Sequence, residues 1–288
     1  MRPRRLTAPA TVVAAGLAIT TLARPAAAED LPICSLKLAF SDDFSRFQVA
    51  PHVLPPGGGW TAHTPWNGDF GDAEFSDPQP DGPFFVRDGE LQIVASKDRD
   101  GKWRSGLIAA ADPSGRGEGL MYGYFEARMR FPPGEGTWPA FWLGALKPAT
   151  DKSPSTEIDV VEYYGRTVWS YEASVHAWYD GAAEARSRHE SKKVMVLPFS
   201  LVNDFHNYGV FISPQRLTFF LDGKPVWEAP TPPELTKPSY PLVNLALGAG
   251  SPTDHTPNPS VLRVKYVRMY SYDWRKHPAG CQPPLGEG

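Results

Sequence analysis

Three carboxylates lie close together in one short segment, Ser155–Tyr164. Glu157, Asp159 and Glu162 are separated there by isoleucine and valine, residues that favour β-strands. Two carboxyl groups that flank a glycosidic bond can cleave it, because one attacks the anomeric carbon while the other donates a proton to the leaving oxygen. The segment therefore predicts a strand that carries glycosidic acid–base chemistry.

The position of Glu162 requires an irregular strand. Regular alternation would place Glu157 and Asp159 on one face and Glu162 on the opposite face, in the core. Because burying a lone carboxylate is costly, we predict a β-bulge near Val160 and Val161 that returns Glu162 to the face of the other two acids. The Cα atoms of the two glutamates would then lie about 13 Å apart. Their carboxyl groups would lie about 5–6 Å apart, as in a retaining glycosidase. Three crowded acids should also hold at least one proton near neutral pH.

Two other interpretations fit the acidic pattern by itself: an exposed acidic strand and a calcium site. The neighbouring sequence favours a sugar-binding cleft instead. Strand alternation places Trp138 and Trp142 on one face, where their indoles can stack against sugar rings. Downstream, His176 and Trp178 share a face, and an imidazole can hydrogen-bond a hydroxyl or a carboxylate. The alternatives here are two core tryptophans and a structural histidine.

The elements that hold these residues are predicted to be β-strands. The 288 residues are 41% hydrophobic and 12% aromatic and include 31 prolines and 26 glycines, which excludes disorder and favours short strands joined by turns. Asp-Gly pairs at 88–89 and 222–223 stand between apolar runs, the pattern of a β-hairpin. Sustained helical periodicity is absent. We predict an all-β fold, a two-sheet sandwich in one domain over residues 29–288, with a functional loop at Pro51–Pro83.

Charge and the N-terminal sequence limit the partners and the location. With 29 Lys+Arg against 32 Asp+Glu and a formal net charge of −3, the chain lacks the positive field of a nucleic-acid-binding protein. Three arginines among the first five residues precede an apolar run, Leu6–Leu22, and then Ala26–Ala28. This is typical of a secretory signal peptide over residues 1–28, and a membrane anchor is the alternative. We expect a secreted monomer, extracellular or periplasmic, without membrane contact once the signal is removed.

The two cysteines lie near the ends of the predicted mature chain. Cys34 follows the expected cleavage site and Cys281 precedes the C-terminus. In an oxidising compartment they are expected to pair, and two free thiols are the alternative. Two cysteines at opposite ends of the predicted mature chain do not form a zinc-ligand motif, and the seven histidines show no metal-ligand spacing. Motifs for flavin or nucleotide binding are absent too, so we expect neither a cofactor nor a metal.

The motifs around the acids resemble glycoside hydrolase family 16. Gly-Thr-Trp-Pro-Ala-Phe-Trp at 136–142, followed by Glu-Ile-Asp-Val-Val-Glu at 157–162, is similar to the laminarinase-like branch, whose acidic motif carries the extra bulge residue. The similarity covers nearly all of the predicted mature chain. Further matching segments are 122–128, 219–224, 244–248 and 266–270.

The resemblance implies a fold and a reaction. It implies a curved β-jelly-roll with a substrate cleft across its concave sheet, and endo-hydrolysis of a β-1,3-glucan, a mixed-linked β-1,3-1,4-glucan or a related bacterial exopolysaccharide. It assigns Glu157 as nucleophile, Asp159 as its supporting partner and Glu162 as the acid/base. Glu74 falls near the family's Asn-x-Glu hydroxyl-binding position, although Asp72 replaces the usual asparagine. The residues expected to bind substrate are then Trp138, Trp142, His176, Trp178, Glu74 and Asn244.

Two positions depart from the family pattern. Related laminarinases usually carry Trp-Pro five residues before the nucleophile, where this chain has Lys152. We interpret this lysine either as facing an acidic or substituted polysaccharide or as a solvated loop residue. Many relatives bind a structural calcium through an aspartate in the final strand, where this chain has Lys265. Because an ammonium cannot ligate a cation, we expect no calcium there, and calcium or a chelator should leave thermal unfolding unchanged.

Two alternatives to a hydrolase remain open at the level of sequence. A non-catalytic carbohydrate-binding sandwich could use the same aromatic face, since a fold does not fix a function. Such a protein has no use for three crowded carboxyls, and so the acidic triplet favours an enzyme. A transglycosylase would use the same carboxylates but resolve the glycosyl-enzyme with a sugar instead of water.

Overall fold

The computed structural model describes residues 35–66, 68–196, 200–273 and 275. The predicted signal peptide at 1–28 and both Cys34 and Cys281 lie outside these residues. Within the described part of the chain, no helix has the length and hydropathy needed to cross a membrane.

The described chain consists of short strands and a single 3₁₀ helix, Gly181–Arg186. In chain order the strands are β1 (Leu36–Asp42), β2 (Val49–Ala50), β3 (Trp60–Thr61), β4 (Glu74–Phe75), β5 (Phe84–Arg87), β6 (Glu90–Lys97), β7 (Trp103–Ser105), β8 (Leu107–Ala109), β9 (Gly123–Arg130), β10 (Thr137–Ala145), β11 (Ser155–Glu162), β12 (Ser170–Trp178), β13 (Arg188–Met195), β14 (His206–Ile212), β15 (Arg216–Leu221), β16 (Lys224–Pro230), β17 (Ser239–Leu247) and β18 (Ser260–Tyr272).

The strands form two sheets. One has ten strands in the order β16-β15-β14-β9-β18-β6-β7-β4, with β1 paired to β18 and β5 to β6. The other has eight strands in the order β13-β12-β11-β10-β17-β8-β3-β2. We call the eight-stranded sheet the cleft sheet, because it carries the acidic segment on β11. The expected all-β, two-sheet architecture is confirmed.

Both Asp-Gly pairs form the hairpin turns that the sequence predicts. Asp88 and Gly89 have φ values of 55° and 67° and join β5 to β6. Asp222 and Gly223 have φ values of 51° and 74° and join β15 to β16. Positive φ at both central residues matches the right-handed twist of the flanking strands, which is why these two-residue turns favour Asp-Gly.

One apolar core fills the space between the sheets. It includes Phe125 and Met269 from the ten-stranded sheet and Phe141, Val160 and Val243 from the cleft sheet, all at most 2% exposed. Outward-pointing side chains of the cleft sheet, among them Trp142, Tyr240 and Leu242, form a second, smaller apolar cluster, which Phe75 of β4 joins from the ten-stranded sheet. The cleft sheet is therefore apolar on both faces, which is unusual for an antiparallel sheet unless its outer face binds something.

Lys265 lies among oxygen atoms on the ten-stranded sheet. Its Nζ is 3.3 Å from Glu90 Oε2 and 3.3 Å from the carbonyl oxygen of Asp88. Arg263 also contacts the Glu90 carboxylate. The two cations and the hydrogen bond from Gln92 hold the pKa of Glu90 below its ordinary value although burial opposes them. Two oxygens that a cation could use are thus already engaged by an ammonium.

Candidate active site

A β-bulge in β11 places all three acids on the outer face of the cleft sheet. Asp159 lies opposite Trp142 and Val161 lies opposite Phe141, so Val160 has no residue opposite it on β10. The pairing with β12 shifts between Asp159 and Glu162 in the same way. Because both valines point into the core, Glu162 returns to the face of Glu157 and Asp159. The predicted bulge is confirmed.

The acids meet the predicted aromatic residues in one cavity. The cavity has a volume of about 200 Å³ and opens on the outer face of the cleft sheet. Its lining residues are Trp66, Phe70, Trp138, Ala140, Trp142, Glu157, Asp159, Glu162 and Asn244. Carboxyl groups beside indoles form the combination that sugar hydrolysis needs, because the rings bind the pyranose faces and the acids act on the bond between them.

Each acid has its own hydrogen-bond partner. Trp138 Nε1 donates to Glu162 Oε1 at 3.0 Å. His176 Nε2 lies 3.0 Å from Asp159 Oδ2. The Trp178 side chain lies near Glu157, where its N–H favours the carboxylate form and so lowers the pKa of Glu157. These contacts hold the three carboxyl groups in separate orientations, which allows them to take different roles.

Burial raises the pKa of all three acids, and the charge of a nearby carboxylate adds to it in each case, that of Glu172 for Glu162. Burial is the main cause for Glu157, whose pKa rises to about 8, and the charge of Asp159 adds to it. Burial also raises the pKa of Asp159 well above its ordinary value, with a further contribution from Glu162. The pKa of Glu162 is raised by burial, against which hydrogen bonds from Trp138 and Tyr164 act. The site therefore holds protons near neutral pH.

The most deeply buried of the three acids is the best position for a retained proton. Asp159 is only 5% exposed, and its carboxyl group lies between the other two along the strand. When Asp159 is neutral, its repulsion of Glu157 disappears, which lowers the pKa of Glu157 and favours the carboxylate that a nucleophile needs. A neutral Asp159 thus allows Glu157 and Glu162 to differ in protonation state.

The raised pKa values predict a pH-dependent stability. Native pKa values above those of the unfolded chain mean that the native state binds more protons, so the free energy of unfolding should fall as pH rises from about 4.5 to about 8. Glu157→Gln removes one of these protons. We expect its loss of stability between pH 5 and pH 8 to be smaller than that of the wild type by on the order of 2 kcal/mol.

Urea unfolding at several pH values measures this difference. Glu190 on β13 is exposed, and Glu190→Gln is therefore the matched control. It should keep the pH dependence of the wild type. If the free energy of unfolding depended on pH equally in the wild type and in Glu157→Gln, the assignment of a proton-binding cluster would be contradicted.

The two tryptophans of β10 are held rigidly. Trp142 is 6% exposed, and its Nε1 donates to Asn244 Oδ1 at 2.8 Å. Asn244 Nδ2 donates to the Trp138 carbonyl oxygen at 3.4 Å. Trp138 is half-buried and stacks on Tyr164 at 6.1 Å between ring centroids. As predicted, the side chains of the strand alternate between its two faces. Phe141 packs in the core, on the face opposite to the two indoles.

Asn244 is fully buried, which decides how it can act. Its exposure is 0%, and both ends of its amide are bonded to the two tryptophans. The residue therefore fixes the Trp142 indole and the Trp138 backbone at the cavity floor. The sequence placed it among the substrate-binding residues, and the structure gives it a positioning task beneath them.

Three predicted residues lie outside the lining of this cavity: His176, which contacts Asp159 from beside it, Trp178 and Glu74. Trp178 is 43% exposed at the end of β12 and stacks on His176, with ring centroids 4.9 Å apart and planes at 9°. Glu74 lies in β4, where it forms an ion pair with Arg104 and lines a separate, larger cavity. Trp178 thus extends the aromatic surface beyond the acids, whereas Glu74 belongs to a neighbouring site.

Three aromatic residues of the site escaped the sequence analysis. Trp66 and Phe70 reach the cavity from the segment Pro51–Pro83, and Trp66 is 53% exposed. Tyr164 bonds Glu162 directly after the acidic strand. The expectation of a functional loop at Pro51–Pro83 agrees with this placement, and the tryptophans in that loop were the available signal.

Comparison with known proteins agrees with the geometry. The family described as glycosyl hydrolases family 16 matches residues 111–267. The endo-1,3-1,4-beta-glycanases ExsH and EglC of Rhizobium meliloti (strain 1021) are 30% and 29% identical to this chain, over 83% of this chain and 52% of each relative. The chain therefore spans about half the length of these relatives.

A solved structure shares the fold. The catalytic domain of an endo-1,3-beta-glucanase (laminarinase) from Thermotoga petrophila RKU-1 matches with a TM-score of 0.63 at 20% identity, over 83% of this chain and 98% of that chain. At this identity the similarity concerns the fold alone. It confirms the expected sandwich of the jelly-roll type.

Proposed function

This chain belongs to glycosyl hydrolase family 16, and we propose that it is an endo-acting enzyme that hydrolyses β-glucan chains with retention of configuration. The observation that carries this proposal is the bulge at Val160, which brings Glu157, Asp159 and Glu162 together in an indole-lined cavity. The relatives ExsH and EglC are described as endo-1,3-1,4-beta-glycanases, which favours a β-1,3 or mixed-linked β-1,3-1,4-glucan or a related exopolysaccharide as substrate.

The proposed reaction is a double displacement. The Glu157 carboxylate attacks the anomeric carbon to form a glycosyl ester, while the Glu162 carboxyl donates its proton to the leaving glycosidic oxygen. The Glu162 carboxylate then takes a proton from a water molecule, whose oxygen attacks the same carbon and releases Glu157. A proton on Asp159, which lies beside His176, removes the repulsion that Asp159 exerts on Glu157 and so favours the Glu157 carboxylate.

Digestion of a polysaccharide panel tests this function. The panel contains laminarin, lichenan, agarose, carrageenan and bacterial exopolysaccharides, and the readouts are product size and the first-formed anomer by NMR. We expect oligosaccharides of intermediate size from a β-glucan, with the β-anomer appearing first. Binding without cleavage would support a carbohydrate-binding protein, and products longer than the substrate would support a transglycosylase.

We propose further that the natural polysaccharide carries negative charge, which Lys152 contacts. The Lys152 side chain is 75% exposed, and among the described residues it has one carboxylate neighbour, Asp180, whose Oδ2 is 3.9 Å from Nζ. We expect Lys152→Ala to lower kcat/KM on an anionic exopolysaccharide by about 2- to 5-fold, the effect of one exposed ion pair. Neutral laminarin should be cleaved as before.

A lysine on the other sheet provides the control for this prediction. Lys37 on β1 is exposed and lies in the ten-stranded sheet. Lys37→Ala should change neither activity. Comparable turnover of charged and neutral glucans by Lys152→Ala would contradict a role for Lys152 and leave it as a solvated loop residue.

We also propose that the protein is exported as a monomer after removal of residues 1–28, with Cys34 and Cys281 paired. The sequence pattern of the N-terminus and the placement of the cysteines support this proposal. N-terminal sequencing of the exported protein, intact mass before and after reduction, and size-exclusion chromatography test its three parts.

A further inference from the structure

A second cavity lies beside the loop segment Pro51–Pro83. It has a volume of about 900 Å³ and shares no lining residue with the cavity that holds the acids. His52, His63, Asp69 and Asp77 line one part of it. The mechanism proposed above uses none of these four side chains.

Three of these side chains offer ligand atoms at short range. One ligand atom each of His52, His63 and Asp77 lies within 4.8 Å of the others. His63 Nε2 is 2.9 Å from Asp77 Oδ1, and the two imidazole rings stack at 4.6 Å. At zinc–ligand bonds of about 2.0–2.2 Å in a tetrahedral site, two ligands of one ion lie about 3.3–3.6 Å apart. The hydrogen-bonded His63–Asp77 pair is about half an ångström closer than this, so a small rotation of either side chain would give the separation that one ion requires.

We propose that His52, His63 and Asp77 bind a divalent transition-metal ion of the zinc class. Two imidazoles and one carboxylate form a ligand set suited to zinc, cobalt and nickel, and they leave coordination positions for water. His52 is exposed, so its ring can turn to bring a nitrogen closer to the other two ligands. Asp69 Oδ1 lies 4.0 Å from His63 Nδ1, and a shift of its side chain by about 1 Å would let it accept a hydrogen bond from that ring from outside the coordination shell.

The metal would fasten a segment that has little secondary structure of its own. Among the described residues between Pro51 and Pro83, the only strands are the two-residue β3 and β4. The three ligands lie at its start, middle and end, and Trp66 and Phe70 of the same segment line the acidic cavity. An ion bound by all three would therefore tie together the loops that carry this wall of the cavity.

Metal titration of the untagged, chelator-treated full chain tests the proposal. We expect one zinc ion per chain by calorimetry, and a rise in Tm of about 5 °C or more when zinc exceeds its Kd about 100-fold. Cobalt should give visible absorption bands typical of nitrogen and oxygen ligands. His52→Ala and His63→Ala should each abolish the Tm rise and the cobalt spectrum. His255→Ala, which removes an exposed histidine outside the cluster, should retain both.

The acidic cavity must be separated from this site in the same experiment. Glu157, Asp159 and His176 form the other three-ligand group within the described residues. His176→Ala should therefore leave the cobalt spectrum and the zinc-induced Tm rise intact. Loss of binding in His176→Ala but not in His52→Ala or His63→Ala would overturn the proposal, as would the absence of any stoichiometric binding.

Discussion

Glu157→Gln is expected to lower kcat on a β-glucan by at least about 10⁴-fold while leaving KM nearly unchanged. A glutamine amide cannot form the glycosyl ester, so the first displacement loses its nucleophile. The replacement is nearly isosteric and removes a group whose burial opposes its charge, so the fold should persist. Reducing-end assays on laminarin or lichenan measure the loss, and isothermal titration with an oligosaccharide measures binding.

Rescue by a small nucleophile can distinguish the loss of a catalytic nucleophile at Glu157 from general damage to the fold. In Glu157→Gly, azide can enter the space left by the carboxylate and attack the anomeric carbon of an activated β-glycoside. The product should be the α-glycosyl azide, with inverted configuration. Glu190→Gln on the exposed strand β13 serves as the control and should keep full activity. A β-glycosyl azide from Glu157→Gly, or activity close to that of the wild type in Glu157→Gln, would contradict the assignment.

Glu162→Gln is expected to lower kcat on natural glucans by about 10²- to 10⁴-fold, the contribution of general acid–base catalysis. Its effect should depend on the leaving group, which distinguishes it from Glu157→Gln. A dinitrophenyl leaving group needs no protonation, so the burst of dinitrophenol in the first turnover should persist. Azide should then accelerate the second step and give the β-glycosyl azide, with retained configuration.

The pH profile provides an independent readout for Glu162. Burial raises its pKa, so the acid form persists to higher pH than in an exposed glutamate, and the alkaline limb of kcat/KM should follow its deprotonation. In Glu162→Gln that limb should flatten. Trp138→Phe removes the indole N–H that bonds the Glu162 carboxylate at 3.0 Å and should move the limb to higher pH. An unchanged alkaline limb in Glu162→Gln would assign the proton donor to another group.

The acidic strand shows what sequence alone can reach. Alternation in a strand has a period of two, so the misplacement of Glu162 in a regular strand was visible from residue spacing, and the bulge followed from the cost of burying its charge. The facing of Trp138 and Trp142 follows from the same periodicity. These inferences succeed because they concern residues of one strand, where backbone geometry alone decides the face to which each side chain points.

Other parts of the site depend on contacts that spacing does not encode. Trp66 and Phe70 arrive from a loop, where no periodicity fixes direction. His52, His63 and Asp77 meet only after the chain has folded, because the segment between the outer two carries only the two-residue strands β3 and β4 among its described residues, too short to show a sequence pattern. Strand β13 cannot be predicted from apolar alternation, because seven of its eight residues are exposed.

The bulge adds one residue to the acidic motif without changing the face of the sheet to which its three acidic side chains point. Gly144 and Ala140, the residues on β10 opposite Glu157 and Glu162, are four positions apart, whereas the two glutamates are five apart. Deleting Val160 would give the motif E-x-D-x-E in a regular strand. That strand would span the same four positions of β10, and all three acids would still face the cleft. Loss of a single codon here is therefore compatible with the catalytic geometry, and homologous chains with and without that codon can carry the same active site.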